Sequence, residues 1–224
     1  MKTISKYLTA VVGILASVAA LSSCGNPQGK QGTLAEAVDS LKGRQALVLY
    51  YSRAGENYVV GHVEKGNTGF IAEYIAEATG ADLCEVHSQT PYDEYSYETM
   101  LNTILEEKEN GVQPAFAADL PDAAQYEVVF IGGPIWWGTY PSLMFTLFSQ
   151  YDLNGKILVP FTTNEGSGLG HTVADLKHVY PDARVLDGFT ITRHEARLPE
   201  AREAVRQWLA GFSYDTAERA ANRR

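Results

Sequence analysis

The stretch YYSRAGENYVVGHVEKGNTGF, Tyr50 to Phe70, decides how this chain folds. An apolar run enters it from Ala46, and a helical pattern leaves it at Thr68. Between them lie two small, polar pieces. One is Ser52-Arg53-Ala54-Gly55-Glu56-Asn57; the other is Gly66-Asn67-Thr68. Residues of this kind after a hydrophobic strand let a chain wrap an anion with backbone N–H groups. Here the anion-binding run is in two parts, with a looped-out segment from Ala54 to Lys65 between them. Asn67 or Thr68 is the expected helix N-cap, because both offer a side-chain oxygen and the next free N–H groups then face the anion.

Working outward, five short apolar runs are strand candidates: residues 46–52, 81–87, 127–133, 156–162 and 183–191. Most lack clean alternation, as expected for strands covered on both faces. Helical patterns separate them. Phe70, Ile71, Tyr74, Ile75 and Ala78 share one face of a helix stopped by Gly80. YDEYSYETMLNTILEEKENG, from Tyr92, reads as one helix with an acidic outer face. Residues 141–150 and 169–178 are shorter helices, and Ala201, Ala204, Val205, Trp208, Leu209 and Phe212 mark the last, with Pro199 near its start. Alternation of this kind gives an α/β fold, a doubly wound parallel sheet of five strands with helices on both faces.

Ligands of such sheets bind beyond the carboxyl ends of the strands, where strand order reverses. Three loops there are unusual. After the first strand comes the opening stretch. After the third comes GGPIWWGTYP, Gly132 to Pro141, which sets two adjacent tryptophans among glycines and prolines. A loop tip buries two indoles poorly, so one of them packs at the core rim and the other offers a flat platform for a planar ring. Trp136 is the expected platform and Trp137 the one turned to the rim. After the fourth strand comes TTNEGSGLGH, Thr162 to His171, whose glycines allow close backbone approach to a ligand.

Together, in order and after the right strands, these three loops resemble the flavodoxin-like family, over about Ala46 to Phe212. The resemblance is to small bacterial flavodoxin-fold proteins with a PIWWG loop. It implies strand order 2-1-3-4-5 and an FMN cofactor. Ser52, Arg53, Gly66, Asn67 and Thr68 would serve the phosphate. Pro134, Ile135, Trp136, Trp137 and Gly138 would flank one side of the isoalloxazine, and Thr163, Asn164, Gly166, Ser167 and Gly168 the other. It implies electron transfer with a redox partner protein, or reductase chemistry on a small acceptor such as a quinone. In either case the protein tunes the cofactor and needs no catalytic side chain of its own.

The first residues belong to something else. Lys2 and Lys6 precede an apolar run, Leu8 to Leu21, too short to span a membrane comfortably. It ends at Leu21-Ser22-Ser23-Cys24, which resembles the lipobox of bacterial lipoproteins. That resemblance implies a signal peptide at 1–23, a lipidated Cys24, a flexible tether to residue 44, a flavodoxin-like domain at 45–212 and a polar tail at 213–224. It places the domain in the bacterial cell envelope, anchored to the outer membrane and facing the periplasm. A non-catalytic FMN-binding lipoprotein is the remaining alternative.

The other cysteine, Cys84, lies in a strand and reads as a buried, inert thiol. The five histidines show no metal-ligand spacing, so no metal is expected. The formal net charge of −9, two units more negative once Lys2 and Lys6 leave with the signal, argues against nucleic acid. Other chemistries fail on single residues. GHVEKGNT nearly fits a triphosphatase loop, but Asn67 stands where lysine is required. No GxGxxG follows the first strand, and no GxSxG elbow occurs.

Overall fold

The computed structural model describes residues 45–211. The expected signal peptide, Cys24, the tether, a helical turn within 34–43, Phe212 and the polar tail lie outside the described residues.

Every residue of β1, Ala46–Tyr51, is buried. Its alternate side chains feed two different cores. Leu47, Leu49 and Tyr51 pack with Met100, Ile104, Leu143, Leu147, Leu176 and Tyr180. Val48 and Tyr50 pack with Ile71, Ile75, Ala201, Val205 and Leu209 on the opposite face. A strand covered on both sides gains nothing from polar alternation, which is why the run reads as continuously apolar.

The short strands β2, Gly55–Asn57, and β3, Gly61–Val63, form an antiparallel hairpin out of the looped segment. α1, Asn67–Thr79, returns to β4, Asp82–Ser88, and stops at Gly80 in the left-handed conformation. The expected single helix from Tyr92 is broken. A 3-10 turn, Tyr92–Glu94, precedes α2, Tyr97–Glu109, whose N-cap is Ser96. The Ser96 hydroxyl accepts from the Thr99 N–H, and this local bond competes with helix continuation. β5, Phe116–Ala117, is a short antiparallel edge strand on β4 with no forerunner among the expected elements. β6, Val128–Pro134, α3, Ser142–Phe148, β7, Ile157–Asn164, and α4, Thr172–Val179, follow the expected order.

The last strand splits into β8, Arg184–Val185, and β9, Phe189–Thr192, both parallel to β7. The gap lies beside Pro160, which has no N–H to give the ladder. α5, Glu200–Ala210, is the last element of the described residues, with Pro199 as N-cap. The sheet order is β5-β4-β1-β6-β7-β8, with β9 also on β7. In terms of the five parallel positions this is 2-1-3-4-5, so order reverses between β1 and β6. α1 and α5 cover one face; α2, α3 and α4 cover the other.

One buried acid sits in the second layer. Glu107 is 8% exposed, and its carboxylate accepts from the Tyr92 hydroxyl at 2.6 Å. Burial pushes the Glu107 carboxyl up, and the Tyr92 bond offsets this only in part. The native protein therefore holds this proton more tightly than the unfolded chain. The stability that goes with it is present below the unfolded carboxylate range and is lost as pH rises through the folded value. Glu107→Gln keeps an acceptor for Tyr92 and abolishes this loss. Its melting temperature should exceed that of the wild type at pH 7 and converge with it near pH 4; parallel curves over that range would contradict the assignment.

Candidate functional site

The N-cap of α1 is Gly66, not Asn67 or Thr68, and no side chain of its own turn caps the helix. The cap comes from the other side of the split. Ser52, at the end of β1, accepts the Gly69 N–H on its Oγ at 2.9 Å. Asn67 and Thr68 thus become the first two helical residues, and their backbone N–H groups have no acceptor among the described residues. Both residues are buried. The two halves of the anion loop are stitched together although the hairpin separates them in sequence.

Gly66 is required by space. Its φ of −64° is open to any residue. A Cβ there would overlap Ser52 Oγ and stand 2.5 Å from the Arg53 carbonyl oxygen. The Thr68 hydroxyl meets the Thr163 hydroxyl at 2.8 Å, both residues being about 1% exposed, so the start of α1 is tied to the end of β7. Arg197, beyond β9, donates to Lys65 O at 3.0 Å and to Asn67 Oδ1 at 3.2 Å. Sequence reasoning missed Arg197; nothing local marks it as belonging to a turn so far away in the chain.

Arg53 was expected among the phosphate groups. Its side chain is 3% exposed and is spent on carbonyls. Nε donates to Tyr92 O and Nη2 to Tyr95 O, each at 2.9 Å, and Nη1 donates to Glu56 O. It fastens the hairpin to the 3-10 turn. Burial lowers the Arg53 pKa; the nearby Tyr51, Asp93 and Glu56 oppose this in part, and Arg193 adds a smaller lowering.

The GGPIWWGTYP loop turns tightly. Trp136 N–H donates to Thr139 O at 2.8 Å, and Trp137 and Gly138 both take positive φ, 50° and 91°. That is the φ pattern of a type I′ turn, and glycine suits its second position. Trp137 turns outward, as expected, and Trp136 turns into the core. Trp136 is 7% exposed and packs edge-on against Tyr51 and Tyr92, with ring centroids at 5.6 and 5.2 Å. Trp137 is 48% exposed, and its carbonyl accepts from Lys108 Nζ at 2.9 Å. Alternation along the strand leaving β6 puts the first indole inward, and the turn throws the second outward. Pro134 and Ile135 are buried beneath the loop. The Tyr51 hydroxyl, under Trp136, is a buried polar atom without a hydrogen-bond partner.

Across the crevice, Asn164 organises the glycine loop. Its Oδ1 accepts from Gly166 and Gly168 N–H at 2.8 and 3.0 Å, and its Nδ2 donates to Thr190 Oγ1 at 2.6 Å. Those two N–H groups therefore point into the protein, while Glu165, Gly166 and Ser167 form the exposed tip. His171 N–H donates to Gly138 O at 2.8 Å, and Thr139 Oγ1 donates to Asp175 Oδ2, so the two loops brace each other. Behind the tryptophan loop a cavity of about 250 Å³ opens between α2 and α3. Ile104, Glu107, Val112, Trp136, Tyr140 and Phe145 help to line it.

Among the described residues there is no cluster of three or more His, Cys, Asp or Glu side chains that could hold a metal ion. Cys84 is a buried free thiol whose pKa burial raises. None of these residues forms a helix long and apolar enough to cross a membrane.

An open, mostly parallel sheet with a helix start bared after its first strand, and two braced loops over the next two strand ends, defines an α/β fold of the class whose ligands bind at the carboxyl edge. The chain belongs to the flavodoxin family: the family model described as Flavodoxin matches residues 56–211. Among solved structures it is similar to a protein of Bacteroides eggerthii provisionally assigned as a flavoprotein. The two are 29% identical, with a TM-score of 0.56 over 74% of this chain and 96% of that one. A Bacteroides uniformis protein with the same provisional assignment is 25% identical, with a TM-score of 0.57 over 75% of this chain and 99% of that one. A flavoprotein of Lactobacillus acidophilus, solved in complex with FMN, shares the fold at 22% identity and a TM-score of 0.51, over 66% of this chain and 93% of that one. No match was found among curated proteins.

Proposed function

We propose that this chain binds FMN in the crevice between the β1, β6 and β7 ends and works as an electron carrier. The observation that carries the reading is the Ser52 cap on Gly69, which leaves the Asn67 and Thr68 N–H groups open at a helix start, where a phosphate is favoured. The donor set fits a phosphate monoester, and Gly66 supplies a cradle that any Cβ would fill. The flavoprotein of L. acidophilus with the same fold, solved with FMN, supports the same ligand.

Bound FMN would supply one- or two-electron transfer; the chain supplies the rest. Ser52, Gly66, Asn67 and Thr68 hold the phosphate end. Trp137, the exposed indole, serves as the platform in place of Trp136, and the tip from Glu165 to Gly168 faces it. The acidic surface of the chain suits a basic redox partner. The cavity behind Trp136 favours a second reading, an FMN-dependent reductase acting on a small apolar acceptor such as a quinone. The lipobox-like residues ending at Cys24 support a lipid-anchored protein of the cell envelope, facing the periplasm from the outer membrane. Cys24→Ser should abolish lipid labelling, and persistent label would refute the anchor.

Titration of the purified protein with FMN should saturate at one FMN per chain with strong quenching of flavin fluorescence. Gly66→Ala should weaken binding about 5- to 150-fold, since overpacking at this contact costs about 1–3 kcal/mol. A wild-type protein that ignores FMN would overturn the reading. Oxidation of NADH or NADPH with a quinone acceptor would select the reductase over the carrier.

A further inference from the structure

Arg193 follows β9 directly and is only 9% exposed. Its backbone is fixed: the N–H donates to Asn164 O at 3.1 Å and to Glu165 Oε1 at 3.3 Å. Its guanidinium is another matter. Among the described residues it makes no hydrogen bond and no ion pair; the bonds of Arg193 come from its backbone alone. A buried cation without a counter-charge is costly.

The Glu165 carboxylate meets the Arg193 backbone N–H and not its guanidinium, and a second cation lies nearby. Arg193 lies close enough to Arg53 for the two guanidinium groups to repel each other. Arg53 has settled on the carbonyls of Tyr92, Tyr95 and Glu56, with the Asp93 and Glu56 carboxylates near it, and none of these groups bonds Arg193. Arrangements of like charges in a poorly solvated place are stable when an anion joins them.

The position of the pair says where that anion belongs. Arg53 immediately follows Ser52, the residue that caps α1. Four residues past Arg193, Arg197 grips Lys65 O and Asn67 Oδ1, so the segment from 193 to 197 lies against the turn that launches α1. On the other side, Arg193 is bonded to the backbone of Asn164, the residue after Thr163, whose hydroxyl meets Thr68 in the first turn of α1. The unpartnered guanidinium and the open N–H groups of Asn67 and Thr68 therefore belong to one neighbourhood at the carboxyl edge of the sheet. Guanidinium and backbone N–H groups together recognise a phosphate monoester, the first by charge and paired donors, the second by direction.

We infer that Arg193 is the counter-ion of a phosphate monoester dianion held at the start of α1, so that the site selects a phosphorylated ligand over its dephosphorylated form. On the FMN reading, on which this identification of the monoester rests, Arg193 makes the protein choose FMN over riboflavin. Ser52 and the helix start orient the phosphate; Arg193 supplies the charge that they lack.

The test compares wild type, Arg193→Gln and Arg193→Lys as full chains, by fluorescence titration with FMN and with riboflavin. Melting curves with and without inorganic phosphate are measured in parallel. Arg193→Gln should weaken FMN about tenfold or more and leave riboflavin within about twofold. Arg193→Lys, which keeps the charge without the paired donors, should fall between. Inorganic phosphate should raise the melting temperature of the wild type and not that of Arg193→Gln. Unchanged FMN affinity in Arg193→Gln, or equal losses for both flavins in either variant, would overturn the inference. If the wild type binds neither flavin, the FMN reading falls by itself. The phosphate arm then decides for Arg193: a thermal gain lost in Arg193→Gln upholds it as a phosphate ligand, and no gain in the wild type overturns it.

Discussion

Trp136→Ala should lower the melting temperature by about 6–20 °C, while Trp137→Ala leaves it within about 2 °C. The first figure follows from truncating a core aromatic, which costs about 3–5 kcal/mol, at about 2–4 °C per kcal/mol for a chain of this size. Trp136 is held edge-on by Tyr51 and Tyr92 and lines the cavity behind the loop. Trp137 is an exposed side chain in a strained left-handed conformation, and its loss removes little packing. Flavin binding should divide the other way. Without Trp137, FMN should bind about two- to tenfold more weakly, from about 0.5–1.5 kcal/mol of stacking, and its fluorescence should be less quenched. Thermal melts and FMN titrations on both variants check this. Equal melting temperatures, or full quenching in Trp137→Ala, would show that the roles are not divided so.

Arg53→Met should cost about 3 kcal/mol, or about 6–12 °C. Three hydrogen bonds from a charged donor, at about 1.5–3 kcal/mol each, set the ceiling. Relaxation of the hairpin and entry of water recover part of it. The stem of Met fills some of the space, so the loss reports the guanidinium. The damage should be local first. The β2–β3 hairpin loses its fastening to the 3-10 turn at Tyr92, so limited proteolysis should cut between Gly55 and Val63 well before the domain unfolds. Uncut hairpin and an unchanged melting temperature would mean that the carbonyls of Tyr92, Tyr95 and Glu56 are satisfied in another way. FMN affinity should fall with the hairpin, because Arg53 and Ser52 are adjacent and Gly66 packs on both.

Much of this protein was legible in one dimension. The apolar runs at Ala46, Val128 and Ile157 could only be strands covered on both faces, and the helical stripe from Phe70 to Ala78 could only pack on them. The alternation of strand and helix then pointed to a doubly wound parallel sheet, and the resemblance of three loops to the flavodoxin-like family implied the strand order that the sheet has. Local rules also failed locally. The acidic run from Tyr92 has helical spacing throughout, but the Ser96 cap divides it. Pro160 sits in an apolar run, and only pairing with β8 and β9 shows what it interrupts.

What the sequence by itself determined is the main strands and helices and their order, because periodicity, glycine and proline act within a few residues of themselves. What only the tertiary structure decided is the division of labour at that edge. It made Ser52 the cap of a helix on the far side of a hairpin, turned Trp136 inward and Trp137 outward, spent Arg53 on backbone carbonyls and brought Arg197 back to the start of α1. Each of these depends on contacts between residues far apart in the chain, where burial makes most polar groups find a partner that no local rule names.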